Sequence, residues 1–194
     1  MAALGDLARA GTPCPVPDLP TVADRVAADL RGWARLAAAP AADLDPWARR
    51  NLDWLTEIPD RLEASGGLDG DTIAHLDLRA DNLVVDGGGN IVVVDWPWAA
   101  RGAAWIDTAM FVLDPAVHGG LDPERPIRQS PLLAEARPDD VTDLLLGLAG
   151  MWGAAMRRPP SPGLPTVRAF QRRFHDAALA WGRRRAGAAD PSRG

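Results

Sequence analysis

The chain has no lysine: all 21 of its basic residues are arginine, and tyrosine is absent too. No residue here can therefore act as the phosphate-binding lysine of a P-loop. The single cysteine, Cys14, excludes an internal disulfide and is read as an ordinary free thiol in a proline-rich segment. No apolar run approaches the length needed to cross a bilayer, and the opening MAALGDLARAG lacks the apolar stretch of a signal peptide. The expected compartment is the cytoplasm, with no membrane partner. No basic tract exceeds Arg183 to Arg185 and the net charge is −5, so the electrostatic footprint of a nucleic-acid binder is missing. A mildly acidic surface suits a cationic substrate, but many cytosolic proteins share it.

What is present is the balance of a folded globular protein. The 194 residues are 47% apolar and 24% charged, enough for one sizeable core. Residues 1–20 end in CPVPDLP, whose prolines favour an extended lead-in. Thr21 is a candidate N-cap for a helix carrying Val22, Val26, Leu30, Trp33 and Ala37 up to Pro40. Asp45 and Pro46 start a second helix, with Trp47, Asn51, Trp54, Ile58 and Leu62 on one face and Pro59 as a kink or stop. Leu83 to Val85 and Ile91 to Val94 flank Asp86-Gly87-Gly88-Gly89-Asn90, which reads as a hairpin. A phosphate-cradling glycine loop runs from strand into helix, whereas this one joins strand to strand. Further helices are expected over residues 104–113, 139–156 and 166–185, and the tail, 186–194, is expected to be disordered. The fold class predicted is mainly α with a small β-hairpin, as one domain over residues 21–185.

The chemistry is concentrated in His75-Leu76-Asp77-Leu78-Arg79-Ala80-Asp81-Asn82. An acid two residues after a histidine, and an asparagine five after the acid, form the H-x-D-x-x-x-x-N pattern of kinase catalytic loops. The hairpin follows directly and delivers Asp95 at the end of its second strand. Mg2+ prefers oxygen ligands, often one or two carboxylates with phosphate oxygens and water, so Asn82 and Asp95 make a suitable pair. Asp77 would face an acceptor hydroxyl and take its proton late in a loose transition state. His75 is read as tying the loop to the core, and Arg79 as offering positive charge to the transferred phosphoryl group.

The stretch IAHLDLRADNLVVDGGGNIVVVDWPWAARGAAWIDTAMFVLD resembles the catalytic core of the aminoglycoside phosphotransferase family, which shares the protein-kinase-like fold. The resemblance implies ATP and Mg2+ as cofactors and a small-molecule hydroxyl as acceptor. It implies a catalytic Asp77, magnesium ligands at Asn82 and Asp95, and Asp107 as a brace for the loop. The flanking helices fit the family's helical lobe from about Thr21 to Arg185. The family commonly has glycine where Leu76 stands. Its N-terminal lobe, which carries the nucleotide-binding lysine, has no counterpart before Thr21, so the expectation is a C-terminal lobe alone, paired with an upstream or separately encoded lobe and slow or inactive unaided. The alternative is a non-catalytic binding or scaffold remnant.

Other residues carry weaker readings. Trp96 and Trp98 are expected in the core in preference to stacking on substrate. His118 and His175 read as surface or helix-face histidines. Asp114, Asp122 and Glu124 fit either the amines of a cationic acceptor or a solvated loop.

Overall fold

The computed structural model describes residues 2–159, 162–190 and 192. Helices α1 (Ala2–Ala10), α2 (Val22–Leu30), α3 (Gly32–Ala38), α4 (Pro46–Arg50), α5 (Leu52–Thr56) and α6 (Ile58–Ser65) precede strand β1 (Thr72–Ala74). A 3-10 turn over Ala80–Asn82 leads into β2 (Leu83–Val85), β3 (Ile91–Val93) and β4 (Ala100–Gly102). Helices α7 (Ile106–Gly119), α8 (Glu124–Ile127), α9 (Pro131–Ala134), α10 (Pro138–Ala155) and α11 (Val167–Ala189) follow. The chain is mostly helical, with small antiparallel sheets. Among the described residues no helix is long and apolar enough to cross a membrane.

The chain divides into two compact units. The first comprises Met1–Arg25 and Gly66–Arg137. Its β1 pairs antiparallel with β4, Thr72 opposite Gly102, and β2 pairs with β3, Leu83 opposite Val93. A Cβ on Gly102 would lie 2.4 Å from Val22 Cγ2, so only glycine fits where β4 passes α2. The hairpin turn is held by Asp86, whose Oδ1 accepts the N–H groups of Gly88 and Asn90 at 2.8 and 2.9 Å, with Gly89 at φ 82°. Helix α7 buries Ile106, Ala109, Val112 and Leu113, and with them Asp107 and Asp114.

The second unit comprises Val26–Ser65 and Pro138–Gly194. Helix α10 lies at its centre against α3, α6 and α11, and is apolar on nearly every face through Val141, Leu144, Leu145, Leu146 and Leu148. A Cβ on Gly32 would fall 2.1 Å from the Gly150 carbonyl carbon, so α3 and α10 touch backbone to backbone. That approach lets the Trp33 indole N–H reach the Leu146 carbonyl at 2.7 Å while its ring is fully buried, and burying such a ring contributes on the order of 3 kcal/mol. Asp45 caps α4 by accepting the N–H groups of Trp47 and Ala48, with Pro46 at the first helical position.

Several expectations are corrected. The prolines from Pro13 onward do not reach back to residues 2–10, where Leu4 and Ala8 bury one side of a helix that contacts β1. The first long helix breaks at Arg31, beside the tight Gly32–Gly150 contact. The second breaks at Asn51, whose side-chain N–H2 donates to the Trp47 carbonyl, and again at Glu57, two residues before Pro59. Helix α7 continues past Leu113 to Gly119, and Gly120 closes it at φ 63°. The tail is helical as far as Ala189, because Ala186 is buried; residues 191, 193 and 194 lie outside the described residues. A second two-stranded ladder, β1 with β4, stands beside the expected hairpin.

Candidate active site

The loop from His75 to Asn82 leaves β1 and is held from beneath by α7. Asp107, in the first turn of α7, accepts the His75 N–H on Oδ2 at 2.7 Å and the Leu76 N–H on Oδ1 at 2.9 Å. Burial pushes the Asp107 carboxyl up, against the two N–H donors that stabilise its charge. Leu76 has φ 62°, the conformation in which glycine is at ease.

The ring of His75 is fully buried and joins two parts of the site. Its Nδ1 accepts the Asp77 N–H at 3.2 Å and its Nε2 meets the Val94 carbonyl at 2.9 Å, roles that place the ring proton on Nε2. The edge of Trp96 packs on this ring at 4.7 Å, and its indole N–H donates to the Val93 carbonyl. The Asn82 carbonyl accepts the Val94 N–H at 3.0 Å. The catalytic-loop motif and the approach to Asp95 are thus stitched together by backbone and ring.

Asp77 is half-buried between two donors. Arg79 Nη1 donates to its Oδ1 at 2.9 Å, and the Asn82 side-chain N–H2 donates to its Oδ2 at 3.3 Å and to its backbone carbonyl at 2.8 Å. Burial raises the Asp77 pKa, and Arg79 and Asn82 only partly offset it. Arg79 also forks onto Asp81, with Nε and Nη2 donating to its two oxygens at 3.0 and 2.9 Å. Burial opposes the Arg79 charge, but the carboxylates of Asp81, Asp77 and Asp114 outweigh it and push its pKa up.

With its amide nitrogen turned to Asp77, Asn82 has its Oδ1 free of any protein donor among the described residues, and the exposed Asp95 carboxylate is likewise unengaged. Asp95 has φ 65°, a left-handed backbone that a short polar residue tolerates better than most. Among the described residues no group of three or more His, Cys, Asp and Glu side chains is placed to hold a metal ion. An amide oxygen and a carboxylate are oxygen donors of the kind a hard cation takes when phosphates and water complete its shell.

Some candidate residues lie elsewhere. Asp114 is not turned out toward an amine: it is buried, its Oδ2 accepts the Ala80 N–H at 3.0 Å, and its Oδ1 lies 3.1 Å from His118 Nδ1. Trp98 is not in the core but 51% exposed, with the Arg25 guanidinium 5.3 Å from its ring centroid. His175 is not on the surface: its Nδ1 reaches the Ala149 carbonyl at 2.8 Å, and burial lowers its pKa. The contact of Asp114 with the loop was missed, although its seven-residue spacing from Asp107 puts both on one helix face.

A family model described as the phosphotransferase enzyme family matches residues 1–138. No curated protein and no solved structure matches the chain. The matched stretch begins before Thr21, where the resemblance was expected to start, and stops where α10 begins, so it takes in the loop, the hairpin, Asp95 and α7. Since the model covers more than half of its length, the chain belongs to the phosphotransferase enzyme family.

Proposed function

We propose that the chain transfers the γ-phosphoryl group of ATP to a hydroxyl of a small molecule, with Asp77, Asn82 and Asp95 as the reacting centre. The observation that carries this reading is the pairing of a half-buried, hydrogen-bonded Asp77 with two oxygen donors, on Asn82 and Asp95, that no protein group among the described residues engages. Mg2+, when bound, neutralises charge on the phosphate oxygens. Asn82 Oδ1 and the Asp95 carboxylate are the groups that would hold it. Asp77 orients the acceptor hydroxyl and takes its proton as the new O–P bond forms and the bond to the ADP leaving group breaks. Arg79, held charged beside Asp77, supplies positive charge to the transferred group. A resemblance to the protein-kinase-like helical lobe supports the same assignment. Purified chain with Mg2+ and ATP, offered a panel of hydroxylated acceptors, should release ADP in step with acceptor consumption; turnover unchanged in both Asp77→Ala and Asp95→Ala would count decisively against these roles.

The absence of lysine favours a second reading, in which the chain is a non-catalytic scaffold remnant that does not hold nucleotide by itself, or works with a separately encoded lobe that supplies the phosphate clamp. Calorimetric titration separates the two. Saturable Mg2+·ATP binding by the chain argues for the catalytic reading, and no binding argues for the second.

A further inference from the structure

Asp114 is a carboxylate that neither the proposed chemistry nor the stability of α7 calls for. It is only 7% exposed, between buried Leu113 and half-buried Pro115, and a buried carboxylate costs free energy that a leucine at the same place would not. Its Oδ2 accepts the N–H of Ala80, and His118, one turn further along the same helix, brings Nδ1 within 3.0 Å of the Asp114 backbone carbonyl and 3.1 Å of Oδ1. Ala80 is itself an exposed residue, yet its N–H turns inward to this carboxylate in a part-buried bond. The bond ties the far end of the loop to α7.

Its placement gives it a purpose. Asp107 holds the start of the loop at His75 and Leu76, and Asp114 holds its far end at Ala80. Asp77 and Arg79 lie between those anchors. Ala80 also opens the 3-10 turn that ends in Asn82, and Arg79, just before it, is extended at φ −139° and ψ 169°. We infer that Asp114, steadied by His118, is a positioning residue: by holding the Ala80 N–H it sets Arg79 and the Asn82 side chain against Asp77. The catalytic consequence rests on the phosphotransferase reading above, whereas the positioning itself does not.

The two are tested separately in the full-length chain. Amide hydrogen exchange should show the Ala80 N–H exchanging at least about tenfold faster in Asp114→Ala, with the His75 and Leu76 amides held by Asp107 unchanged. Asp114→Asn, which keeps an acceptor oxygen, should restore Ala80 protection. In turnover assays, Asp114→Ala should lower kcat about tenfold and raise the Mg2+ concentration for half-maximal rate, with the KM for ATP within twofold and Asp114→Asn close to wild type. Ala80 exchange unmoved in Asp114→Ala, acceleration shared equally by His75 and Leu76, or failure of Asp114→Asn to protect Ala80 overturns the inference. Should Asp114→Ala fail to fold, Asp114→Asn decides alone, since a role resting on charge requires Ala80 to lose protection there too. A wild-type chain with no phosphoryl transfer to any acceptor overturns the functional reading, while the exchange measurement still decides the positioning.

Discussion

Asp107 holds Leu76 in the left-handed region, its Oδ1 accepting the Leu76 N–H at 2.9 Å while Leu76 sits at φ 62°. A leucine in that conformation costs about 1 kcal/mol or more. The cost is sustained because the same buried carboxylate also takes the His75 N–H, so the peptide on either side of Leu76 is fixed. Leu76 thus holds a backbone geometry that suits glycine with a side chain that dislikes it.

Asp107→Ala leaves one buried and one part-buried N–H group without an acceptor and should lower stability by about 2–4 kcal/mol in urea unfolding. Asp107→Asn retains one acceptor oxygen and should fall between Asp107→Ala and wild type. Equal stability of all three proteins would show that the loop does not depend on this carboxylate.

Asp77→Asn and Asp95→Asn should each lower kcat by at least about 100-fold with little change in the urea midpoint. The two carboxylates lie at or near the surface, so their removal opens no cavity. Asn at position 95 suits the positive φ found there. Turnover within a few-fold of wild type in the Asp95 variant would remove that residue from the site.

The acid limb of the rate profile should lie above the usual carboxylate value of 3.8, because burial raises the Asp77 pKa and the group must be ionised to accept a proton. The sign for stability is the reverse. A carboxyl with a raised folded-state pKa holds its proton more tightly than in the unfolded chain, so its stabilising contribution is complete below the unfolded pKa and is lost as the pH rises through the folded one. Rate profiles of wild type and Asp77→Asn, measured from pH 4 upward, check this: the limb should vanish in the variant.

In the second unit, Arg61 donates from Nε and Nη2 to the two oxygens of Asp143 at 2.9 and 2.6 Å, and the Asp143 side chain is only 8% exposed. Burial already pushes the Asp143 carboxyl up in spite of this partner. Arg61→Ala should cost about 3 kcal/mol by stranding that carboxylate. The double variant Arg61→Leu with Asp143→Leu should recover most of the loss, as read by urea unfolding.

The loop and hairpin that carry the candidate site were legible because they are local. His75, Asp77, Asn82 and Asp95 are fixed by spacing along one stretch, and the short glycine turn leaves few ways to connect β2 with β3. The Asp107 brace entered through resemblance, and the structure gives it two hydrogen bonds. The β1–β4 ladder was not legible, since Ala100-Arg101-Gly102 is only three residues long, has no strand-forming residue and is held by a close approach to Val22. Burial of Asp114 and His175 escaped for a similar reason. A polar residue on a helix reads as solvated until the element packed against it is known. The break at Arg31 came from a glycine contact in space, which no local propensity encodes.

Asp107 and Asp114 stand seven residues apart on α7, nearly two turns and about 10 Å along the axis. The helix thus acts as a ruler for the loop, its two graduations matched to the distance from Leu76 to Ala80. One residue inserted between them would turn the second mark by about 100° and advance it by about 1.5 Å, taking the carboxylate off Ala80 altogether. Substitutions at the half-buried Met110 and Phe111 should therefore be far better tolerated than a change in the number of residues there.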